Sequence, residues 1–338
     1  MPLEPIEPAK AVTMYLQERD GELSEASLQA HDYRLNHFTR WCDEEGVTDM
    51  TSLTGRRLHE YRLWRQSDGD LAPPSLKTQM DTLRVFVRFC ERIDAVPEGL
   101  HDKVQSPSLS DGENERDVML EAESAKAILN RLSRFRYASR DHVVMTLLWR
   151  TGIRMGSLRS LDLSNYYPRK GRLELEHDPD RDTPLKNGAE GERYVAIRPV
   201  TVEIVDDWID HQRPERTDEY GRQPLITTTH GRISRTSIRD TVYRLTRPCD
   251  RGNECPHDRD PETCEATDDH RKQASKCPSS VSPHAVRRGS ITHHLTQDVP
   301  EKVVSDRMNV SQEVLDKHYD ERTEEVKVEQ RRGYLSNL

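Results

Sequence analysis

A polar segment near residue 110 separates two parts of the chain that have different sequence patterns. This segment, residues 104–117, reads VQSPSLSDGENERD and combines Ser, Pro, Gly and charged residues without apolar periodicity. Such a composition is typical of interdomain linkers. Because 338 residues exceed the usual size of one small domain, we expect a first domain at 1–103, a linker at 104–117 and a second domain at 118–338.

The first domain is predicted to be entirely helical. Apolar residues at three- to four-residue spacings predict a helix over residues 24–45, which Gly46 would terminate. A shorter helix is expected around Tyr61, and Pro73 is expected to open a third. Arginines occupy the polar faces of these helices and are predicted to be exposed: Arg56, Arg57, Arg62, Arg65, Arg84 and Arg88.

The second domain mixes helical and strand patterns. Short strands are predicted at 172–176 and 193–197, on either side of a turn at Asn187-Gly188. Helical periodicity is found at 122–136, 139–150, 202–212, 234–247, 284–295 and from 300 onward. The predicted fold class is therefore mainly α with a small β-sheet.

Composition restricts the location and working conditions of the chain. It contains no run approaching 18 apolar residues and no basic stretch followed by an apolar block at the N-terminus, so we expect a cytoplasmic protein without a membrane span. Acidic residues outnumber basic ones by 60 to 51, and only 11 of the basic residues are Lys. This pattern is typical of proteins adapted to high internal salt, as in a halophilic archaeon, although a GC-rich genome would also favour Arg.

Five residues of the second domain could together transfer a phosphoryl group to a tyrosine. They are Arg154 in TGIRMGSLRSL, Lys186 in TPLKNGAEG, His284 and Arg287 in SPHAVRRGS, and Tyr319 in LDKHYDE. Two guanidiniums can clamp the non-bridging oxygens of a phosphodiester, on which charge develops. A phenol is a weak nucleophile that needs positioning and a neighbouring base. A Lys in a turn between strands can protonate the departing oxygen.

These motifs resemble those of the tyrosine recombinases, the phage-type integrases that include the Xer resolvases. Arg154 matches the first arginine of that family, Lys186 its β-hairpin lysine, His284 and Arg287 its H-x-x-R box, and Tyr319 its nucleophile. The resemblance covers the whole chain and implies a helical N-terminal core-binding domain and an α+β catalytic domain. It also implies a site-specific recombinase or integrase that cuts and rejoins double-stranded DNA through a 3′-phosphotyrosyl intermediate. Such enzymes need no cofactor for cleavage and act as homo-tetramers.

Several positions depart from the family pattern. The family usually carries His or Trp nine residues before the tyrosine, and here that residue is Val310, which cannot donate a hydrogen bond to a phosphate. Ser157 also replaces an expected acidic residue. An alternative function is therefore a catalytically weak or inactive recombinase-like DNA-binding protein with a zinc module. The five matching residues favour the enzyme.

A basic helix is the predicted DNA-facing element of the second domain. It covers residues 234–247, and the arginines predicted to face DNA are Arg232, just before the helix, and Arg235, Arg239 and Arg244 within it. A net charge of −9 would ordinarily oppose nucleic-acid binding. At molar salt the Debye length is only about 3 Å, so local Arg contacts dominate over net charge. The alternative interpretation is a solvated basic face.

A cysteine-rich segment, residues 248–281, precedes the H-x-x-R box. Its spacing is C-x5-C-x8-C-x12-C, formed by Cys249, Cys255, Cys264 and Cys277. Clustered cysteines in a cytoplasmic protein indicate a metal before disulfides. Four thiolates, or three with His257 or His270, would form a tetrahedral site for a structural zinc. The alternative is a flexible loop with free thiols, whereas Cys42 and Cys90 occupy apolar helical positions and are predicted core thiols.

Overall fold

The structure, a computed structural model, divides the chain into two compact units, Met1–Arg116 and Asp117–Leu338. Each unit has an apolar core of its own. No helix in the described part of the chain is long and apolar enough to cross a membrane. The residues that the structure describes are 2–109, 118–252, 254–268, 273–318, 325, 328, 329 and 332.

The first unit is helical, as predicted. Its helices are α1 (Pro8–Arg19), α2 (Glu25–Glu44), α3 (Gly55–Asp68) and α4 (Pro73–Arg92). The hydroxyl of Ser24 caps α2 by accepting a hydrogen bond from the Ser27 amide. The helix ends just before Gly46, which has a φ of +66° and so stops the helix as expected. Helix α1 was not predicted, because its buried face is narrow and consists of Pro8, Ala11, Val12 and Tyr15.

Aromatic side chains form the centre of the first core. The Tyr61 ring packs edge-on against Phe38 and Trp41, with centroids 5.4 Å apart in both pairs, a favourable arrangement of ring quadrupoles. Cys42 and Cys90 lie in this core as predicted, 1% and 0% exposed. Burial raises the pKa of Cys42 to about 12, so this thiol stays protonated and serves as an apolar group.

Two arginines of the first unit correct the prediction of an exposed basic face. Arg65 is only 4% exposed, and its guanidinium donates to Gln79 and forms an ion pair with Asp68. Arg84 donates to the Val104 carbonyl at 2.7 Å and thereby holds the chain that leaves the unit. These two arginines stabilise the unit and do not form an exposed face. Helical periodicity misses this because a long side chain can reach partners that are distant in the sequence. The exposed members of the predicted set are Arg56 and Arg88.

The second unit is mainly α with small antiparallel sheets, as predicted. Its helices are α5 (Ala122–Phe135), α6 (Arg140–Thr151), α7 (Met155–Ser160), α8 (Pro199–Asp207), α9 (Arg235–Thr246), α10 (Pro283–Thr296), α11 (Glu301–Met308) and α12 (Gln312–His318). Its strands are β1 (Tyr166–Tyr167), β2 (Arg172–Leu175), β3 (Arg193–Ala196), β4 (Thr227–Thr228) and β5 (Gly231–Arg232). Strand β2 pairs with β1 and β3, and β4 pairs with β5. Leu173 and Val195 are paired across β2 and β3, and both lie on the face of the larger sheet that is buried in the core.

The connection between β2 and β3 contains the predicted turn. It covers residues 176–192 and contains two short 3₁₀ turns, Pro179–Arg181 and Gly188–Gly191. Asn187-Gly188 lies at the start of the second turn, where Gly188 has a φ of +59°. Strands β2 and β3 lie within one residue of their predicted bounds, and they pair antiparallel across the predicted turn.

Helix α10 packs against α6 at the centre of the second unit. The approach is close at Gly289, where an added Cβ would lie 2.0 Å from the Leu120 carbonyl oxygen. The Leu120 amide donates to the Ala285 carbonyl at 3.0 Å, and the Ser290 hydroxyl donates to the Trp149 carbonyl at 2.6 Å. These contacts fix the position of α10, which carries two of the predicted site residues.

Candidate active site

The turn between α6 and α7 positions Arg154. Gly152 ends α6 with a φ of +62°, and a Cβ there would lie 2.5 Å from the sulfur of Met308. Glycine therefore satisfies both the backbone and the packing at this position. Arg154 follows as the N-cap residue of α7, and its Nη1 donates to the Asn309 carbonyl at 2.9 Å.

The first turns of α10 position His284 and Arg287. The Ser282 hydroxyl caps the helix and accepts a hydrogen bond from the Ala285 amide, and Pro283 occupies its first position. The spacing of three residues brings His284 and Arg287 to one face, as the sequence predicts. Arg287 is 3% exposed, and its Nη1 donates to the Gly152 carbonyl. The glycine that ends α6 therefore also orients the arginine of α10.

His284 lies within the electrostatic influence of both arginines. Partial desolvation lowers the pKa of the His284 imidazole, and the positive charges of Arg287 and Arg154 lower it further. An imidazole whose pKa is depressed is neutral at pH 7 and can accept a proton. The structure thus brings together three of the five predicted site residues.

The sequence analysis missed a further guanidinium, that of Arg193. Its Nε donates to the Arg307 carbonyl at 2.8 Å and its Nη1 to the Gly191 carbonyl at 2.7 Å. Its Nη2 is buried and has no hydrogen-bond partner in the described part of the chain. Desolvation lowers the pKa of Arg193 to about 10, and the positive charges of Arg287 and Arg154 act in the same direction. A buried donor amid like charges is suited to an anionic ligand.

The alternation of residues along strand β3 could have identified Arg193 as unusual. Within β3 it lies opposite Leu175, on the same face of the sheet as the buried Val195. Alternation along a strand calls for an apolar residue at that position. A charged side chain on the buried face is unusual and often marks a site.

Lys186 lies at the surface, in the connection between β2 and β3. In the described residues its ammonium forms neither a hydrogen bond nor an ion pair. The next residue, Asn187, donates from its side chain to the side-chain oxygen of Asn309 at 2.9 Å. Since the Asn309 carbonyl also accepts from Arg154, the same residue anchors the Lys186 loop and the first arginine.

Val310 belongs to an apolar cluster. It is 7% exposed and packs with Ile291, Leu295, Val304, Met308 and Leu315. Its amide donates to the Ser305 carbonyl at 3.1 Å. The residue that replaces the family's usual His or Trp therefore joins α10, α11 and α12 by packing. In this segment it is the Asn309 carbonyl, one residue earlier, that contacts the arginine.

Tyr319 lies outside the described residues. The described part of helix α12 extends to His318, immediately before it in the sequence.

The basic helix α9 and its flank are partly committed to the fold, which corrects the expected DNA-facing set. Arg232 pairs with Asp218 at 2.8 Å and also with Asp162, and its side chain is 5% exposed. Arg244 pairs with Asp141 at 2.7 Å. Buried pairs such as these hold the unit together and leave those charges unavailable to a phosphate. The arginines of the set without an ion pair in the described residues are Arg235 and Arg239.

The cysteine-rich segment brings its thiols to one place. All four are free thiols in the structure and line one cavity together with His257. Among the residues that the structure describes, no three His, Cys, Asp or Glu side chains meet in a metal-binding arrangement. The His257 ring shares a hydrogen bond with the Ser279 hydroxyl at 2.9 Å, and His270 lies outside the described residues.

Comparisons with known proteins point to one family. No family model matches the chain. A stretch of 149 residues is 26% identical to the tyrosine recombinase XerC of Pseudomonas putida KT2440, covering 43% of this chain and 48% of XerC. The chain thus spans about half the length of the curated relatives that it matches. The crystallised N-terminal domain of a phage integrase/site-specific recombinase from Haloarcula marismortui is 36% identical, over 31% of this chain and 99% of that domain, with a TM-score of 0.30.

Structural similarity extends over almost the whole chain. The Tn1549 transposon integrase, in complex with a circular intermediate DNA, matches 97% of this chain and 99% of its own, with a TM-score of 0.67 and 14% identity. The chain therefore has the fold of the integrases, with a helical N-terminal unit and an α+β second unit. The curated proteins that the chain resembles in sequence are tyrosine recombinases, and solved structures that share its fold are integrases.

Proposed function

We propose that this protein is a site-specific DNA recombinase or integrase that cuts and rejoins double-stranded DNA through a 3′-phosphotyrosyl intermediate. The observation that carries the proposal is the meeting of Arg154, His284 and Arg287, with both guanidiniums oriented by backbone carbonyls. The family similarity supports it, and the Tn1549 integrase structure holds DNA. In this proposal the first unit is the core-binding domain and the second the catalytic domain.

The arginines would bind the phosphate that is attacked. Arg154 and Arg287 would each donate to a non-bridging oxygen, while the spare Nη2 of Arg193 adds a third donor. Donors that are fixed before the reaction stabilise developing charge without reorganisation, typically by about 2.7–4 kcal/mol each. The carbonyls of Gly152, Asn309 and Arg307 supply that fixed orientation.

Proton transfer would involve His284 and Lys186. The Tyr319 phenol gives its proton to the neutral imidazole of His284 as its oxygen forms a bond to phosphorus. The bond between phosphorus and the 5′ oxygen breaks, and Lys186 protonates that oxygen. The reverse sequence rejoins the strand and restores both groups.

The wider setting of the reaction is also proposed. The protein would assemble as a homo-tetramer on DNA in the cytoplasm of a salt-adapted organism. The chain has 60 acidic and 51 basic residues, and most of the basic residues are Arg. This composition supports the adaptation to salt. In this setting Arg235 and Arg239 of α9 would contact DNA phosphates.

An adduct assay separates this function from that of an inactive DNA-binding relative. The purified chain is incubated in high salt with a pool of nicked duplexes of randomised sequence, because a nick releases the cleaved end and traps the intermediate. We expect an SDS-stable protein–DNA adduct with the wild-type chain and none with Tyr319→Phe, although both bind DNA. DNA binding without any adduct from the wild-type chain would favour the inactive relative.

A further inference from the structure

The four cysteines of the cysteine-rich segment share one local geometry. Each begins a reverse turn, with its carbonyl accepting a hydrogen bond from the amide three residues later. These bonds join Cys249 to Gly252 at 3.0 Å, Cys255 to Asp258 at 3.3 Å, Cys264 to Thr267 at 2.9 Å and Cys277 to Ser280 at 3.0 Å. Four separate turns therefore present their leading thiols to one cavity.

The rest of the cysteine-rich segment has few buried side chains that could hold these turns together. Between residues 249 and 281, the buried residues that the structure describes are Ala266, Ala274 and Cys277. Two methyl groups and a thiol bury far less apolar surface than the ordering of some thirty residues requires. Small segments of this kind depend on a metal or covalent links, and all four thiols are free.

Two arginine side chains line the cavity. Arg247 and Arg259 are among its lining residues, and the Arg247 guanidinium donates to the Ala266 carbonyl in the cavity wall. A divalent cation bound by four thiolates carries a net negative charge. Two neighbouring guanidiniums would offset that charge. Free thiols are uncharged and would not need positive groups beside them.

We infer that Cys249, Cys255, Cys264 and Cys277 bind one structural zinc ion. Binding releases the four thiol protons to solvent, and the four thiolates complete a closed tetrahedral site. Because no three of these groups already meet in a metal-binding arrangement among the described residues, loading draws the thiols inward and closes the cavity. The four thiolates fill the coordination sphere, and His257 lies beside the site with its Nε2 hydrogen-bonded to the Ser279 hydroxyl.

The position of this site gives the zinc its role. Cys249 follows the end of α9, and Cys277 precedes the start of α10 at Pro283. The Val281 amide donates to the Thr246 hydroxyl at 3.0 Å, which already joins the two ends of the cysteine-rich segment. A metal would lock this junction and so hold the first turn of α10, where the site histidine lies.

Metal analysis tests the inference without DNA, so its outcome is independent of the proposed recombination. The full chain, purified without chelator or metal-affinity resin, is expected to contain one zinc per chain. Cys264→Ser should retain less than about a tenth of an equivalent. His257→Ala and the core variant Cys42→Ala should both retain the full equivalent, and circular dichroism verifies the folding of each variant.

Removal of the metal provides a second readout that needs no variant. A strong chelator should release the zinc, make four thiols reactive and lower the thermal midpoint of the second unit. Cobalt added in place of zinc should produce the thiolate charge-transfer absorption of a tetrahedral site, and Cys264→Ser should abolish it. A wild-type chain with less than a tenth of an equivalent of zinc, with two disulfides or with iron in place of zinc would overturn the inference.

Discussion

At the scale of single residues, the site depends on the shape of its guanidiniums as well as on their charge. Arg287 is buried and held by the Gly152 carbonyl, so its planar guanidinium has a fixed orientation. A lysine at this position keeps the charge but replaces the planar fork with a point charge on a flexible stem.

We therefore expect Arg287→Lys to slow DNA cleavage about 10²- to 10³-fold, the usual cost of one lost electrostatic donor. The measurement is the rate of adduct formation, with thermal unfolding to verify the fold. Arg216→Lys, a change at an exposed arginine, provides the matched control and should cleave normally. A near-native rate for Arg287→Lys would show that the planar guanidinium is not needed at this position.

Arg193 allows a test of a residue that motif matching did not identify. Arg193→Met keeps much of the apolar stem on the buried face of β3 but removes the spare Nη2 donor. We expect cleavage to fall about 10²-fold while DNA affinity changes little. The same substitution at Arg216 is the control. If Arg193→Met lowers only the thermal midpoint and leaves the cleavage rate intact, Arg193 is purely structural.

The sequence predicts the features of the site that depend on residues close together in the chain, and it misses those that depend on residues far apart. The H-x-x-R spacing predicts that His284 and Arg287 share a face, because helical geometry is local. The burial of Arg232 is not local, since its carboxylate partner Asp162 lies 70 residues earlier. Its other partner, Asp218, comes from a loop without a periodic pattern. Periodicity shows which face is polar but not which charges will find partners.

At the scale of the elements, the contact between α10 and the chain entering α5 determines where the site is built. Gly289→Ala would place a Cβ 2.0 Å from the Leu120 carbonyl oxygen, so α10 must shift. We expect a loss of roughly 1–3 kcal/mol in the free energy of unfolding, as for other overpacked sites. Chemical unfolding measures it.

A second glycine provides the matched control for this prediction. Gly156 lies within α7, and an added Cβ would have no atom within 4 Å. Gly156→Ala should be neutral or stabilise the protein by roughly 0.5–1 kcal/mol, because alanine favours the helix. Equal stabilities for the two variants would contradict the close packing of α10.

The same scale shows which elements the sequence could predict. Long helices such as α2 and α4 follow from repeated apolar spacings that need no tertiary information. Strands of two residues, such as β1 and β4, carry no detectable alternation and exist because partner strands lie beside them. The connection at 176–192 is ordered by distant contacts, such as that of Asn187 with Asn309.

At the scale of the whole molecule, net charge links stability to salt. The chain has 60 acidic and 51 basic residues. At low ionic strength the excess carboxylates repel one another and destabilise the compact state. Screening at molar salt removes this repulsion while weakening DNA binding. We expect helicity and adduct yield to rise between about 0.1 M and about 3 M KCl, followed by circular dichroism and gel analysis. A chain that is fully folded and most active near 0.1 M would show that the acidic excess is not an adaptation to salt.

The central claim is that Tyr319 forms the covalent link to DNA, and direct mapping of that link tests it. The SDS-stable adduct is digested with trypsin and nuclease, and the peptide that retains a nucleotide is sequenced by mass spectrometry. The account predicts a 3′-phosphonucleotide on the Tyr319 oxygen and a free 5′ hydroxyl on the released strand. A nucleotide on any other residue, or a 5′-phosphoryl link, would contradict it.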